Sequence, residues 1–379
     1  MKFLLIASYP PSILKFRGAL IAAIKKIGFE VHLIASDFES YSEERGKLES
    51  LGYIVHDIPI QRTGTSPTAD GKTLLALYRL MKEIKPDYMM SYTIKPVIYG
   101  LLAAKLARVP YRFALITGLG YAFKGADNQN YKKSHMQRII HKMYSIALAS
   151  THLVFFQNPD DESLFKAMGI LKSTTSTKVV NGSGVDISEY AVVPFECLDN
   201  RPIPRFLLIA RLLGDKGVKE YAQAARLLKA KYPQSQFDLV GWIDDNPDAI
   251  KQQELDSWIN EGLFTFWGKL NDVKPAIAAS SIYVLPSYRE GTPRTVLEAM
   301  AMGRPIITTD APGCRETVID GYNGYLVSIK AVDELVAAME RFIVTPKLIL
   351  QMGQASRQLV EEKFDVDSVN LSMIKSMKI

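Results

Sequence analysis

Short apolar runs alternate with helical patterns from one end of the chain to the other, and nothing else in the sequence limits the fold as much. The runs of the first half are Phe3–Ser8, Glu30–Ala35, Tyr53–Ile58, Tyr88–Thr93, Phe113–Thr117 and Leu153–Gln157. The second half repeats the rhythm with Arg205–Ala210, Phe237–Val240, Phe264–Trp267, Ile282–Pro286 and Pro305–Thr309. Helical stretches such as Leu14–Ile27, Thr73–Lys85 and Val218–Lys231 lie between them. Strands alternating with helices predict parallel sheets covered on both faces. So many strands in one sheet would be unusual, which predicts two sheets. The break falls near Tyr190–Pro204, where Pro194, Pro202 and Pro204 interrupt the pattern. The fold class is therefore α/β, two doubly wound parallel-sheet domains, with ligands expected beyond the carboxyl ends of the strands in a cleft between the domains.

The stretch Tyr288–Glu298 holds two carboxylates, Glu290 and Glu298, with seven residues between them. Glu290 follows the apolar run Ser281–Pro286; Thr292 and Pro293 read as N-cap and first helical residue, with Gly303 and Pro305 as the stop. A loop acid, a helix N-terminus and an acid within that helix thus share a small volume. Free N–H groups at a helix start favour a phosphate, and two carboxylates beside it can accept from sugar hydroxyls. First-turn acids that merely complement the helix dipole are the competing reading. Arg211 follows the run Phe206–Ala210, and Lys216 precedes Gly217 at the next helix start. A guanidinium and an ammonium placed there can neutralise a leaving diphosphate, or can simply be solvated turn residues.

Other chemistry finds little support. The first strand runs into Ser8-Tyr-Pro-Pro-Ser12 with no glycine before Gly18, so the dinucleotide fingerprint is missing. Gly118-Leu-Gly120 and Gly182-Ser-Gly184 begin that fingerprint, but Phe123 and Ile187 stand at its third glycine, and no P-loop is spelled. Asp365-Val-Asp367 resembles a metal-binding pair but follows no strand, so it reads as an exposed helix start; Asp244 and Asp245 read as solvated loop acids. No His/Cys cluster suggests zinc, and no metal or cofactor is expected. A net charge of +6 suits anionic partners. Without a zinc-finger spacing, an RNA-binding aromatic signature or a long basic run, nucleic acid is not expected. Cys197 and Cys314, far apart, suggest no disulfide framework and a reducing cytoplasm. Met1–Ser8 is too short for a secretory core, and no run approaches the roughly 20 apolar residues needed to span a bilayer.

With these residues placed, the chain resembles the retaining glycosyltransferases of family 4, which have the GT-B architecture of two facing Rossmann-like domains. Glu290-Gly-Thr-Pro-Arg-Thr-Val-Leu-Glu298 and the following Ala-Met-Ala-Met-Gly-Arg-Pro match the family's Glu-x7-Glu signature. Ala210-Arg211, Lys216-Gly217, Asn181-Gly-Ser-Gly-Val-Asp186 and Gly321-Tyr-Asn-Gly-Tyr-Leu-Val327 match further family motifs in the right order. The resemblance implies an acceptor-binding domain over 1–195, a nucleotide-sugar-binding domain over 196–355, and a C-terminal helix over 356–379 that crosses back to the first domain. It implies that Glu290, Arg211 and Lys216 are catalytic. Glu290 would hold donor-sugar hydroxyls, Glu298 the ribose hydroxyls, and Arg211 and Lys216 the diphosphate. Gly291, Thr292, Pro293, Arg294, Thr295, Val296 and Gly241 complete the donor site, with uracil near Lys269 and Leu270 and Arg294 placed to influence the choice of sugar. Many members carry a histidine after the fifth strand, where this chain has Thr117 and Gly118, so no general base is assigned. A front-face mechanism can do without one, because the leaving phosphate can take the acceptor's proton.

Ser91-Tyr-Thr-Ile-Lys-Pro96, Tyr99-Gly100 and Ile116-Thr-Gly-Leu-Gly120 narrow the resemblance to the branch that extends undecaprenyl-diphosphate-linked sugars. A polyprenyl-diphosphate-linked sugar acceptor would meet Lys95, Thr93, Thr117, Gly118, Ser12 and Arg17. In 131–146, Ile139, Ile140, Met143 and Ile146 can share one helical face, with Lys132, Lys133, Arg138 and Lys142 on the polar side and Phe123, Lys124 and Tyr131 extending it. Such a helix can lie on an anionic membrane or cover a sheet with a solvated basic face. The expectation is a retaining, UDP-sugar-dependent hexosyltransferase. N-acetylgalactosamine is the first candidate for the sugar, in bacterial surface-glycan or glycoprotein-glycan assembly. The protein would be cytoplasmic and peripheral on the inner face of the membrane. A UDP-N-acetylglucosamine epimerase of the same fold and a non-enzymatic sugar-binding protein are the competing readings.

Overall fold

The computed structural model describes residues 1–61, 66–119, 123, 134–198 and 201–379. The chain divides into two compact units, Met1–Ser183 with Val369–Ile379, and Gly184–Ser368. The change-over at Ser183 precedes the proline-interrupted segment that the sequence suggested as the boundary. In order, the first unit holds β1 (Lys2–Ile6), α1 (Pro11–Lys26), β2 (Glu30–Ala35), α2 (Ser42–Ser50), β3 (Ile54–Asp57), α3 (Pro67–Ile84), β4 (Tyr88–Tyr92), α4 (Ile94–Ala107), β5 (Tyr111–Ile116), α5 (His135–Leu148), β6 (Leu153–Phe156), α6 (Pro159–Ala167) and β7 (Thr177–Val179). The second holds a short hairpin of β8 (Cys197–Leu198) and β9 (Arg201–Pro202), then β10 (Arg205–Ile209), α7 (Val218–Lys231), β11 (Gln236–Val240), α8 (Gln252–Asn260), β12 (Thr265–Gly268), α9 (Lys274–Ala279), β13 (Ile282–Leu285), α10 (Arg294–Ala301), β14 (Ile306–Thr309), β15 (Gly324–Val327), α11 (Val332–Val344) and α12 (Lys347–Lys363). The last helix, α13 (Val366–Met377), starts at the end of this unit and runs into the first.

Both main sheets are parallel, ordered β3-β2-β1-β4-β5-β6-β7 and β12-β11-β10-β13-β14-β15. The apolar runs are nearly continuous because each strand is buried on both faces. Leu4, Ile6, Met89 and Ala114 point into one core of the first unit, and Phe3, Leu5, Met90 and Phe113 into the other. The last helix adds Met373, Ile374 and Met377 to that second core, each worth roughly 1.5–3 kcal/mol of burial. The Asp365 carboxylate accepts from the Ser368 N–H (3.1 Å) and so caps the start of α13, the helix start read from the sequence.

Two helices start earlier than their apolar pattern suggests. α1 begins at Pro11, and α3 begins at Pro67 after Ser66, whose hydroxyl accepts from the Ala69 N–H. Proline is tolerated in a first turn because its missing donor has no helical partner there. The edge strands β7 and β15 were not read from the sequence: one is three residues long and half-buried, and the other opens on a glycine inside a loop-like motif.

Beside the outer strands, His32 Nδ1 lies 2.9 Å from His56 Nε2, and His32 Nε2 lies 2.8 Å from Glu30 Oε1. The carboxylate can only accept, so His32 donates to Glu30 and receives the His56 proton. Burial, then the neighbouring His32 and Arg45, holds His56 below the ordinary imidazole range, against an opposing pull from Glu83. The unfolded chain therefore takes up this proton first, and the stability present above about pH 6.5 is lost as pH falls. The melting temperature is expected to drop between about pH 7.5 and 5.5, and His56→Gln to shrink that drop. An equal drop in the variant would remove His56 as its source.

Candidate active site

In the second sheet the strand order reverses between β10 and β13, and such a reversal places a ligand beyond the carboxyl ends of those strands. The loop after β10 carries Arg211 and a tight turn over Gly214–Lys216; the loop after β13 carries Tyr288, Arg289 and Glu290. Backbone bonds lock these loops together. The Asp215 carbonyl accepts from the Tyr288 N–H (2.8 Å) and the Ser287 hydroxyl (3.2 Å). Gly217, at φ 71°, approaches Pro286 so closely that a Cβ would collide with its carbonyl. Lys216 Nζ is thereby brought to 2.6 Å from Glu290 Oε1, with only 16% and 17% of the two side chains exposed. Burial disfavours the ammonium, but the Glu290 carboxylate, with Asp215, outweighs it and raises Lys216 above the ordinary lysine range. Beneath the pair lies Cys314, whose thiol is pushed up to about 12 by burial and then by Glu290, so it stays neutral and unreactive.

The helix α10 starts one residue later than its sequence suggests. Pro293 is the N-cap, with ψ 111°, and Arg294 is the first helical residue, so Thr292 lies one step outside. The Pro293 carbonyl accepts from the Val296 N–H (3.1 Å) and takes the first helical bond from the Leu297 N–H (3.3 Å), and a proline cap needs no N–H of its own. Gly291, Pro293 and Val296 are buried. The Thr295 and Tyr283 hydroxyls are 2.7 Å apart, and Tyr283 also reaches the Ile209 carbonyl (3.1 Å). Burial raises the Tyr283 phenol, and both Glu298 and Glu290 add to the shift, so a neutral phenol stands near both acids. Glu298 itself is buried, with Oε1 accepting from Arg294 Nε (2.7 Å) and from the Tyr190 hydroxyl (3.1 Å).

Arg211 is exposed, and its Nη1 is 2.8 Å from Asp244 Oδ2. Asp244 is thus a partner of the site arginine and not the solvated acid its sequence suggested, whereas Asp245 is exposed. The Gly241 N–H donates to the Gly268 carbonyl (2.9 Å), and a Cβ on Gly241 would collide with the Ala210 carbonyl. Lys269 is exposed, its ammonium 5.1 Å from the Trp242 ring centroid; Leu270 is half-buried against the core.

The first sheet reverses between β1 and β4, and the residues expected to meet an acceptor gather beyond those strands. Thr93, at φ 67°, caps α4, and its hydroxyl is 3.2 Å from that of Ser8. The Ser12 hydroxyl donates to the Tyr9 carbonyl (2.6 Å) and lies 2.8 Å from the Tyr92 hydroxyl. Arg17 is buried, its guanidinium 5.6 Å from the Tyr92 ring centroid. Lys95 pairs with Asp70 (2.8 Å), a carboxylate that also bonds the Tyr99 phenol. Thr117 and Gly118 are half-exposed just past β5.

Sequence reasoning missed Asp70, Tyr190 and Tyr283. Asp70 stands in a helix's first turn, where acids are common for dipole reasons, and the two tyrosines sit in apolar company.

The helix α5 covers the sheet with Gln137, His141, Tyr144, Ala147 and Leu148. Its apolar face is split: Ile139 and Ile146 are exposed, but Ile140 and Met143 pack against the core, so the four do not form the single outward face read from the sequence. Met136 joins the exposed pair, with Arg138 and Lys142 also exposed. Lys124, Tyr131, Lys132 and Lys133 lie outside the described residues. Phe123 is buried against His141 and Phe165, so it adds nothing to an outer face. No helix among the described residues is long and apolar enough to cross a membrane.

Residues 203–344 match the family model "Glycosyl transferases group 1", and residues 10–158 match "Glycosyl transferase 4-like". The chain is 30% identical over 358 residues, covering 92% of it and 90% of the relative, to the N,N'-diacetylbacillosaminyl-diphospho-undecaprenol alpha-1,3-N-acetylgalactosaminyltransferase of Campylobacter jejuni. It is 27% identical over 320 residues (82% and 79%) to the UDP-Gal:alpha-D-GlcNAc-diphosphoundecaprenol alpha-1,3-galactosyltransferase of Escherichia coli. Among solved structures, Anabaena Alr3699/HepE in complex with UDP-glucose superposes with a TM-score of 0.76 at 21% identity, covering 100% of this chain and 99% of the other. The sucrose-phosphate synthase of Thermosynechococcus elongatus does so with a TM-score of 0.77 at 17% identity, covering 100% and 98%.

Proposed function

Because the chain belongs to the group 1, family 4 glycosyltransferases and has their GT-B fold, we propose that it transfers an N-acetylhexosamine, N-acetylgalactosamine first, from a UDP-sugar to a polyprenyl-diphosphate-linked sugar with retention. The observation that carries this reading is the Lys216–Glu290 pair at the β10–β13 reversal, beside the start of α10. Acceptor and donor classes are supported by the two relatives, whose names state undecaprenyl-linked acceptors and, for one, a UDP-linked donor.

The bond from the anomeric carbon to the diphosphate breaks, and a bond to the acceptor hydroxyl forms on the same face. The acceptor's proton passes to the departing phosphate, so no side-chain base is required. Charge develops on the diphosphate, and fixed donors aimed at it lower the barrier most. Lys216, Arg211 and the positive end of the α10 dipole supply them. Glu290 would accept from the donor sugar's hydroxyls and Glu298 from the ribose. No metal is needed for this distribution of roles. Lys95 would exchange Asp70 for the acceptor's diphosphate. Met136, Ile139 and Ile146, with Arg138 and Lys142, would rest on an anionic membrane at the cytoplasmic face.

Purified protein given a panel of UDP-sugars, with and without a polyprenyl-diphosphate-linked N-acetylsugar, is expected to release UDP only with the lipid and to yield a product one sugar heavier. Donor conversion without acceptor would replace this reading with an epimerase. No UDP release under any pairing would refute it.

A further inference from the structure

Glu298 is a carboxylate almost fully removed from water, and its two side-chain donors, Arg294 and Tyr190, fall on the same oxygen, Oε1. Oε2 has no hydrogen-bond partner among the described residues. A carboxylate with one oxygen tied twice is fixed in rotation, and its other oxygen is left to accept from a ligand.

Tyr190 is the less expected of the two donors, since it lies 108 residues from Glu298. Its position is built rather than incidental. The Asp186 side chain accepts from Ser188 N–H (2.9 Å), Ser188 hydroxyl (2.6 Å) and Glu189 N–H (3.0 Å), which folds a turn, and Tyr190 N–H donates to the Asp186 carbonyl (3.0 Å). Arg357 Nη1 then donates both to the Tyr190 carbonyl (3.1 Å) and to the Ala301 carbonyl (2.7 Å). One guanidinium thus ties the tyrosine to the end of the helix that carries Glu298.

We infer that Tyr190 is a positioning residue for ribose recognition: its hydroxyl, with Arg294, holds Glu298 so that Oε2 faces the nucleotide's hydroxyls. This rests on the assignment of Glu298 to ribose made above. It also gives the Asp186 motif a task, that of presenting the tyrosine.

Binding of UDP and of 2′-deoxy-UDP to the full chain tests it, by calorimetry on wild type and Tyr190→Phe. Wild type is expected to prefer UDP. The variant, which loses one oxygen only, is expected to bind UDP about tenfold more weakly while 2′-deoxy-UDP binding changes little, so the preference shrinks. At saturating donor its kcat is expected to stay near wild type. A preference kept in full by Tyr190→Phe, or equal weakening of both nucleotides, would overturn the role of Tyr190 alone. Wild type binding UDP without preferring it over 2′-deoxy-UDP would overturn the ribose assignment of Glu298, and this inference with it; wild type binding neither would overturn the UDP reading itself.

Discussion

Glu290→Ala is expected to slow UDP release by a factor of about 10²–10³ while the protein stays folded, because it removes the group proposed to hold the reacting sugar and leaves the loop in place. The loop is held by its backbone: Glu290 N–H donates to the Pro312 carbonyl (2.9 Å), and Tyr288 N–H to the Asp215 carbonyl (2.8 Å). Neither bond uses the Glu290 side chain. Lys216 would lose its partner at 2.6 Å but keep the neighbouring charge of Asp215. Both members of the pair are partly reached by water, so the stability cost is placed at about 1–2 kcal/mol, between exposed and fully buried pairs. Steady-state UDP release and a thermal melt separate the two effects. Turnover within about fivefold of wild type, or collapse of the melt, would each refute this account of Glu290. Glu290→Gln refines the result: it can still bond Lys216 but not as a charge, so an activity near that of Glu290→Ala would assign the role to charge and not to shape.

How far the chain could be read before folding depended on whether a residue's partner was near in sequence. Apart from the edge strands β7 and β15, the sheet strands were legible because parallel strands are apolar on both faces, and α7 was read as Val218–Lys231, the span it occupies. Glu290, Lys216 and Arg211 were legible because each follows a strand end or precedes a helix, places where topology, not side-chain detail, collects groups into one site. Tyr190 was not: its value comes from one hydroxyl meeting Glu298 across a long stretch of chain. Asp244 read as a solvated acid, and Asp70 was not singled out at all, because their cations, Arg211 and Lys95, reach them from other parts of the chain. The start of α10 was misplaced by one residue because Thr-Pro spells a cap followed by a first turn, whereas here the proline itself takes the extended cap conformation. In α5 the error lay in the period: Ile139, Ile140, Met143 and Ile146 fit one stripe on a wheel, but Tyr144 and His141 are what the sheet takes in.

Arg304 reverses the usual expectation for an arginine, and replacing it is expected to cost more stability than any other change considered for this protein. It stands between Gly303 and Pro305, just past α10, and is fully buried. Its five donors explain how. Nε donates to the Ile277 carbonyl (3.1 Å), Nη1 to Val193 (2.7 Å) and Met302 (2.8 Å), and Nη2 to Ala278 (3.1 Å), with the guanidinium 4.6 Å from the Phe195 ring centroid. Ile277 and Ala278 belong to the last turn of α9, whose dipole favours a cation; the Ile277 carbonyl also accepts from the Ser280 N–H (3.2 Å) and hydroxyl (2.9 Å). Met302 ends α10, so one side chain satisfies the ends of two helices. Burial lowers the guanidinium's pKa to about 10, which still leaves it charged at neutral pH. Arg304→Met keeps much of the volume and takes the guanidinium donors from the Val193, Ala278 and Met302 carbonyls; the expected cost is about 3–5 kcal/mol, read from the urea midpoint of the second unit's transition. Arg304→Lys restores the charge but offers three donors on one nitrogen, which cannot reach carbonyls spread around a planar fork, so it is expected to recover less than half of the loss. A lysine variant as stable as wild type would mean that charge at the α9 terminus is what matters, and a methionine variant as stable would mean that these carbonyls find water instead.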